Sequence, residues 1–280
     1  MIKFLVKTSV FVILMTLVMT VNCHSWVEQV SLVEDVAFQS PDYPRDNDDS
    51  QASLSDVYSA NYSVVIRTSP EFLHNDTIMT YLLSPNGRSG NIEIISSDRI
   101  CMLSQQFSYQ SQGSSRLKVR ADKEIVLRYQ ENGHVTLPHE TPDKATSGTV
   151  FVYDTKKSRS TDTLLNIHKV WNKNGTTSDA RGRLLAEVDF DDEECYEPNF
   201  LSSIYQLRQK LFEANSEQGS NRWCRNRVQV SEDTTKRIYT LYWVWDWPSS
   251  LDTPNGSMRW KNEIYTTCVD LHVITQENSE

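Results

Sequence analysis

The chain has 280 residues and a formal charge of −9, with 28 Lys and Arg against 37 Asp and Glu. This acidic balance disfavours nucleic-acid binding through a basic face. The length suits one large domain or two small ones, and beyond the N-terminal apolar run no stretch reaches the roughly 20 residues that cross a bilayer.

In chain order, Lys3 and Lys7 lead into the apolar run Val10 to Val21 and then Asn22-Cys23. Residues 1–23 read as a secretory signal cleaved after Cys23. One domain then occupies 24–275, ahead of a polar tail at 276–280. Loss of Lys3 and Lys7 with no acids moves the formal charge from −9 to −11. Four cysteines remain, Cys101, Cys195, Cys224 and Cys268, an even count that implies two disulfides with three possible connectivities. Sequons at Asn61, Asn75, Asn174 and Asn255 fit a secreted glycoprotein, extracellular or in the cell wall.

Val27 to Val36 reads as a first strand. Residues 38–88 turn to Ser, Asp, Asn, Pro and Tyr and read as long functional surface loops. Short alternating runs follow at Asn91–Ile95, Arg116–Arg120, Glu124–Tyr129 and Gly148–Tyr153, and Thr163–Trp171 and Arg183–Phe190 continue the pattern. Arg237–Trp247 and Ile264–Ile274 are the two longest strand-like runs. One helix is expected from about Asn199 to Ala214, with Leu201, Ile204, Tyr205, Leu211 and Phe212 near one stripe. Many short strands with turns between them predict an all-β fold, an immunoglobulin-like or fibronectin-like antiparallel β-sandwich with long loops and one or two short helices. Trp243, Trp245 and Trp247 share one strand face and read as packed aromatic core.

Cleavage after Cys23 makes His24 the first residue, and that changes its chemistry. An N-terminal histidine offers its α-amine and imidazole Nδ1 together as a chelating pair. The amine has a reference pKa of about 7.7–8.0, so a metal displaces only a modest proton affinity near neutral pH. Nitrogen donors in a tetragonal arrangement suit Cu(II). His134, just past Asn132-Gly133 at a strand end, supplies a third nitrogen. In Asn262-Glu263-Ile264-Tyr265, strand alternation puts Glu263 and Tyr265 on one face. A tyrosine there can take a distant axial position, and the carboxylate can hold the outer shell. His74, His139, His168 and His272 read as structural or solvated, the last two within strands. The acidic cluster Asp189 to Glu194 reads as a solvated turn.

His24 at a cleaved terminus, His134 at a strand end and Glu263-x-Tyr265-x-x-Cys268 resemble the copper histidine-brace proteins typified by lytic polysaccharide monooxygenases. The cellulose-active fungal class carries Gln-x-Tyr-x-x-Cys in the matching segment, with its tyrosine axial to copper. Val244-Trp245-Asp246 and Val269-Asp270 are similar to segments of the chitin-active bacterial class. A closer resemblance is to a large family of secreted fungal proteins, through His24-Ser-Trp-Val-Glu-Gln29, Tyr43-Pro-Arg45, Glu131-Asn-Gly-His-Val-Thr136, Gly148–Tyr153, Phe190-Asp-Asp192, Tyr239–Trp245 and Tyr265–Cys268. The histidine-brace resemblance implies one copper ion held by His24, His134 and axial Tyr265, with Tyr265 and Glu263 as the catalytic pair. It implies a monomeric polysaccharide-directed monooxygenase or peroxygenase fed by an external electron donor. It also pairs Cys101 with Cys268, leaving Cys195 with Cys224. The chain departs from the cellulose-active pattern: Gly133-His134-Val135-Thr136 replaces His-x-Gly-Pro-Val, and the further outer-shell histidine is missing. Those departures touch oxidant activation more than copper binding, so the alternative is a non-catalytic copper-binding or copper-scavenging protein on the same brace.

Overall fold

A computed structural model describes residues 24–33, 62–64, 79–85, 88, 93–106, 116–213, 220–232, 238–252 and 258–274. The signal at 1–23, most of the 38–88 loops, His74, the sequons at Asn61, Asn75 and Asn255, and the tail at 276–280 lie outside the described residues.

In chain order the first strands are β1 (Gln29–Leu32), β2 (Tyr62–Val64), β3 (Leu82–Leu83), β4 (Lys118–Arg120), β5 (Glu124–Tyr129) and β6 (Thr149–Thr155). A short helix α1 (Leu164–Ile167), strand β7 (Gly182–Asp189) and helix α2 (Ser203–Leu211) follow. The chain continues through β8 (Cys224–Gln229), β9 (Ile238–Asp246), β10 (Ser249–Asp252), β11 (Met258–Lys261) and β12 (Ile264–Ile274). One sheet has the order β2-β1-β5-β8 and the other β3-β12-β9-β6-β7, while β10 and β11 form a separate hairpin. The pairings are antiparallel except that β4 adds to β12 in parallel. The fold is therefore an all-β sandwich with few helices, as the alternation predicted.

Between the sheets lies a core in which Val30, Leu127 and Tyr129 meet Trp243, Trp245 and Val269. The opposite face of the second sheet is covered as well, where Tyr242, Val244 and Cys268 pack with Leu164, Ile167 and Trp171. Burial on both faces explains why β9 reads as a continuous apolar run instead of alternating. The three tryptophans at the end of β9 and just beyond it satisfy their indole N–H groups: Trp243 on Asn226 Oδ1, Trp245 on the Ser147 carbonyl and Trp247 on the Thr146 carbonyl. The disulfides are Cys101–Cys268 and Cys195–Cys224. The first ties the covering layer to the middle of β12.

Several expected elements differ. Glu93 to Ile95 form no strand, because the Ile95 N–H turns onto the Asp98 carboxylate at 2.8 Å. Thr163–Trp171 is not extended: Thr163 precedes α1, and buried Leu164, Ile167 and Trp171 recur at helical spacing. His168 consequently ends a helix instead of sitting in a strand, whereas His272 does lie in β12. The predicted 199–214 helix is α2, capped by Ser202 Oγ accepting from the Tyr205 N–H. Its expected stripe is only partly buried, since Tyr205 packs against Tyr196 while Leu201 is 99% exposed. The acidic turn is not simply solvated either. Asp191 forms a two-pronged pair with Arg208, and Glu194 meets Arg222 and Arg225.

Candidate metal centre

Pairing of β1 with β5 decides where residue 24 lies. The antiparallel register aligns Gln29 with Arg128, so the chain before β1 runs past the end of β5 toward residues 130–134. The Glu28 N–H bonds to the Arg128 carbonyl, and Ser25 Oγ to the Gln130 carbonyl at 2.8 Å. Asn132 Nδ2 then donates to the His24 carbonyl at 2.6 Å. From the other sheet, Thr267 Oγ1 accepts from the Val27 N–H at 3.1 Å. These contacts bring the His24 nitrogen to 3.2 Å from His134 Nε2, across 110 residues of sequence.

The loop that presents His134 is built on a buried carboxylate. Asn132 and Gly133 adopt φ of 48° and 79°, a turn suited to Asn-Gly, and His134 N–H closes it on the Glu131 carbonyl. Glu131 Oε2 accepts from the Val135 and Thr136 N–H groups, while Oε1 accepts from Glu197 N–H at 3.0 Å and from the Thr136 hydroxyl. Burial, opposed by these hydrogen bonds, leaves the Glu131 carboxyl above its ordinary range.

His134 is 3% exposed and lies among aromatic rings, with Trp247 at 4.7 Å and Trp245 at 5.2 Å. Burial first, with His24 and Lys144 nearby, pushes its pKa down to about 3, so the imidazole is neutral. Because Nε2 accepts the His24 N–H, the ring proton sits on Nδ1, which has no hydrogen-bond partner among the described residues. This tautomer leaves Nε2 as the available lone pair, as a metal ligand requires.

Glu263 and Tyr265 share the inner face, as alternation predicted. Tyr265 is 1% exposed, stacks on Trp245 at 5.0 Å, and donates its hydroxyl to Glu263 Oε1 at 3.0 Å. Glu263 Oε2 accepts from Ser249 Oγ at 2.9 Å and from Lys144 Nζ at 2.6 Å. Burial alone would raise the Glu263 carboxyl; Lys144, then Ser249 and Tyr265, outweigh it and hold it below the ordinary value of 4.5. Lys144 itself reaches the Trp247 carbonyl at 2.7 Å and sits 3.9 Å from the centre of the Trp247 ring. Glu263, Lys144 and His24 all contribute electrostatically at His134, so these groups form one neighbourhood.

Two participants escaped the sequence reading. Lys144 lies in a Pro-flanked loop more than a hundred residues from Glu263 and carries no local signal. Glu131 did carry one: a carboxylate directly before Asn-Gly is placed to accept the amides of the turn it opens. Two of the other histidines have separate surroundings. His139 lies exposed beside Glu140, and His168 bonds Tyr153 and Asp246 on the outer face of the second sheet.

The N-terminal strand, the His134 turn and the Tyr265 strand all fall within one matched region, residues 21–280, of the family described as Domain of unknown function (DUF7492). The chain belongs to that family. No curated protein matches it. Among the described residues, Asp192, Cys195 and Cys224 alone bring three ligand-type side chains within 4.8 Å, and both cysteines are committed to a disulfide. No helix among the described residues is long and apolar enough to cross a membrane.

Proposed function

We propose that this is a secreted histidine-brace protein that binds one copper ion through His24 and His134. The supporting observation is the 3.2 Å approach of the His24 nitrogen to a buried, neutral His134 Nε2. That spacing is compatible with two nitrogens each roughly 2 Å from one ion. In the full-length chain the His24 nitrogen is a peptide N–H; signal removal after Cys23 turns it into an α-amine with a lone pair at the same place. His24 would contribute that amine and its imidazole, His134 its Nε2, and Tyr265 its phenol oxygen. Bound copper would supply one-electron chemistry that, with dioxygen or hydrogen peroxide as oxidant and an external electron donor, serves oxidative attack on a C–H bond of a polysaccharide. The protein's own part is to hold a neutral imidazole in an aromatic, water-poor wall and to keep the Glu263 carboxylate beside it.

A second reading, a non-catalytic copper-binding or copper-scavenging protein, draws support from the committed state of Glu263. Both its oxygens are engaged by Lys144, Ser249 and Tyr265, which leaves little freedom to serve a reacting oxygen ligand.

The test is N-terminal sequencing of the secreted protein followed by copper titration of the wild type and His134→Ala. We expect a chain beginning at His24, one equivalent of copper, and at least hundredfold weaker binding in the variant. A different first residue, or equal affinity in both proteins, would refute the brace. Peroxide-dependent turnover of a small chromogenic reductant separates the two readings: tight copper without turnover favours scavenging.

A further inference from the structure

A second site lies on the other face of the same sheet. Along β12, Tyr265 points into the inter-sheet core while Ile264 faces the outer layer; on the neighbouring strand Asp246 likewise alternates with Trp245 and Trp247. Near Ile264 and Asp246 there is a cavity of about 400 Å³, within the size range of small-ligand sites.

Its lining has two chemical parts. The apolar part includes Trp260, on β11, and Leu165, on α1, large side chains left 50% and 47% exposed. The polar part is a fixed network. Tyr153 Oη accepts the Lys169 backbone N–H at 2.9 Å and so donates to His168 Nδ1 at 3.1 Å. His168 Nε2–H then points to Asp246 Oδ2 at 3.3 Å, which Lys169 Nζ also reaches at 2.5 Å. Asp246 Oδ1 takes no hydrogen bond among the described residues, and the same holds for the Trp260 indole N–H, the Lys261 ammonium and the Asn262 carboxamide, all of which border the cavity.

A ligand for this site needs a flat apolar face for the indole and an edge that both donates and accepts hydrogen bonds. A pyranose ring has that form: axial C–H groups stack on an aromatic face while ring hydroxyls meet a free carboxylate oxygen, a carboxamide and an ammonium. The charges along the lining balance, Glu93 and Asp246 against Lys169 and Lys261, which suits a neutral ligand better than an ion. We propose that the cavity bordered by Trp260, Asn262 and the His168–Asp246 pair is a binding subsite for one neutral pyranose unit of a glycan. The site stands on its own residues and needs no metal at His24 and His134.

The test uses metal-stripped secreted protein titrated calorimetrically with three soluble hexasaccharides, of β-1,4-linked glucose, β-1,4-linked N-acetylglucosamine and β-1,3-linked glucose. At least one should bind, Trp260→Ala should weaken it tenfold or more, and Asn262→Ala should weaken it less, with unchanged circular dichroism in both variants. The proposal is overturned if none of the three binds at millimolar concentration, if Trp260→Ala binds as tightly as wild type, or if binding appears only after copper is restored. Failure of copper binding leaves the expected sugar titration unchanged, so the two readings fail separately.

Discussion

Replacing Lys144 with Met isolates the electrostatic design beside the candidate metal centre. The lysine side chain is 4% exposed and its ammonium lies 2.6 Å from Glu263 Oε2, whose side chain is 14% exposed. Methionine keeps most of the stem volume, so the main loss is the charge and its hydrogen bonds to Glu263 and to the Trp247 carbonyl. Removing one partner of a buried pair costs about 3–5 kcal/mol, and the residual solvent contact of Glu263 argues for the lower end, about 3 kcal/mol at pH 7. The cost depends on pH in a defined direction. The folded Glu263 carboxyl lies below its ordinary value of 4.5, so its pairing contributes stability above pH 4.5 that is lost as the pH falls through the folded value. Urea unfolding of wild type and Lys144→Met at pH 7 and pH 3 should therefore show a gap of about 3 kcal/mol that shrinks by at least half in acid. The double variant Lys144→Met with Glu263→Gln should recover part of the loss at pH 7. A gap under about 0.5 kcal/mol at neutral pH, typical of an indifferent surface change, or a gap of equal size at both pH values, would refute the reasoning.

Glu131→Ala should destabilise by about 3 kcal/mol or more by leaving three backbone N–H groups without their acceptor, and it should loosen the His134 turn; denaturation and copper titration of the same variant read both effects. Gly148→Ala places a methyl 2.6 Å from Trp245 Nε1 and 2.8 Å from the Asp246 carbonyl at a φ of +88°, so a loss of at least about 2 kcal/mol with altered tryptophan fluorescence is expected in thermal melts. Breaking Cys101–Cys268, which spans 167 residues, should cost about 5 kcal/mol by chain entropy, against about 3.6 kcal/mol for the 29-residue span of Cys195–Cys224. Urea midpoints of the two paired Cys→Ser variants should follow that order.

Strand alternation was legible wherever one element fixed its own neighbours. Glu124–Tyr129 and Ile264–Ile274 match β5 and β12 at both ends, and the parity of Glu263 with Tyr265 was readable for the same reason. Local patterning failed where a tertiary contact decided the outcome. Ile94 and Ile95 have strand-like composition, but the Asp98 side chain captures the Ile95 amide. In Thr163–Trp171 the apolar residues that count are Leu164, Ile167 and Trp171, and the interspersed Leu165 and Val170, both exposed, blurred their helical spacing. β8 carries four polar residues in Cys224-Arg-Asn-Arg-Val-Gln229 and so gave little signal, although it closes one edge of the first sheet.

The candidate metal centre shows the same division between local and distant causes. His24, His134, Glu263 and Tyr265 were named from types and spacings, yet their juxtaposition depends on the β1–β5 register and on an inter-sheet hydrogen bond from Val27 to Thr267. A one-residue slip of β1 would turn Val30 out of the core and draw the chain leading back to His24 about 3.3 Å along the strand direction. That displacement is as large as the His24–His134 separation itself. Burial of Val30 therefore fixes the β1–β5 register that carries the His24 nitrogen to His134, so sandwich packing and the geometry of the two histidines are coupled. Changes at Val30 that loosen β1 should accordingly weaken copper binding in titrations of the mature protein.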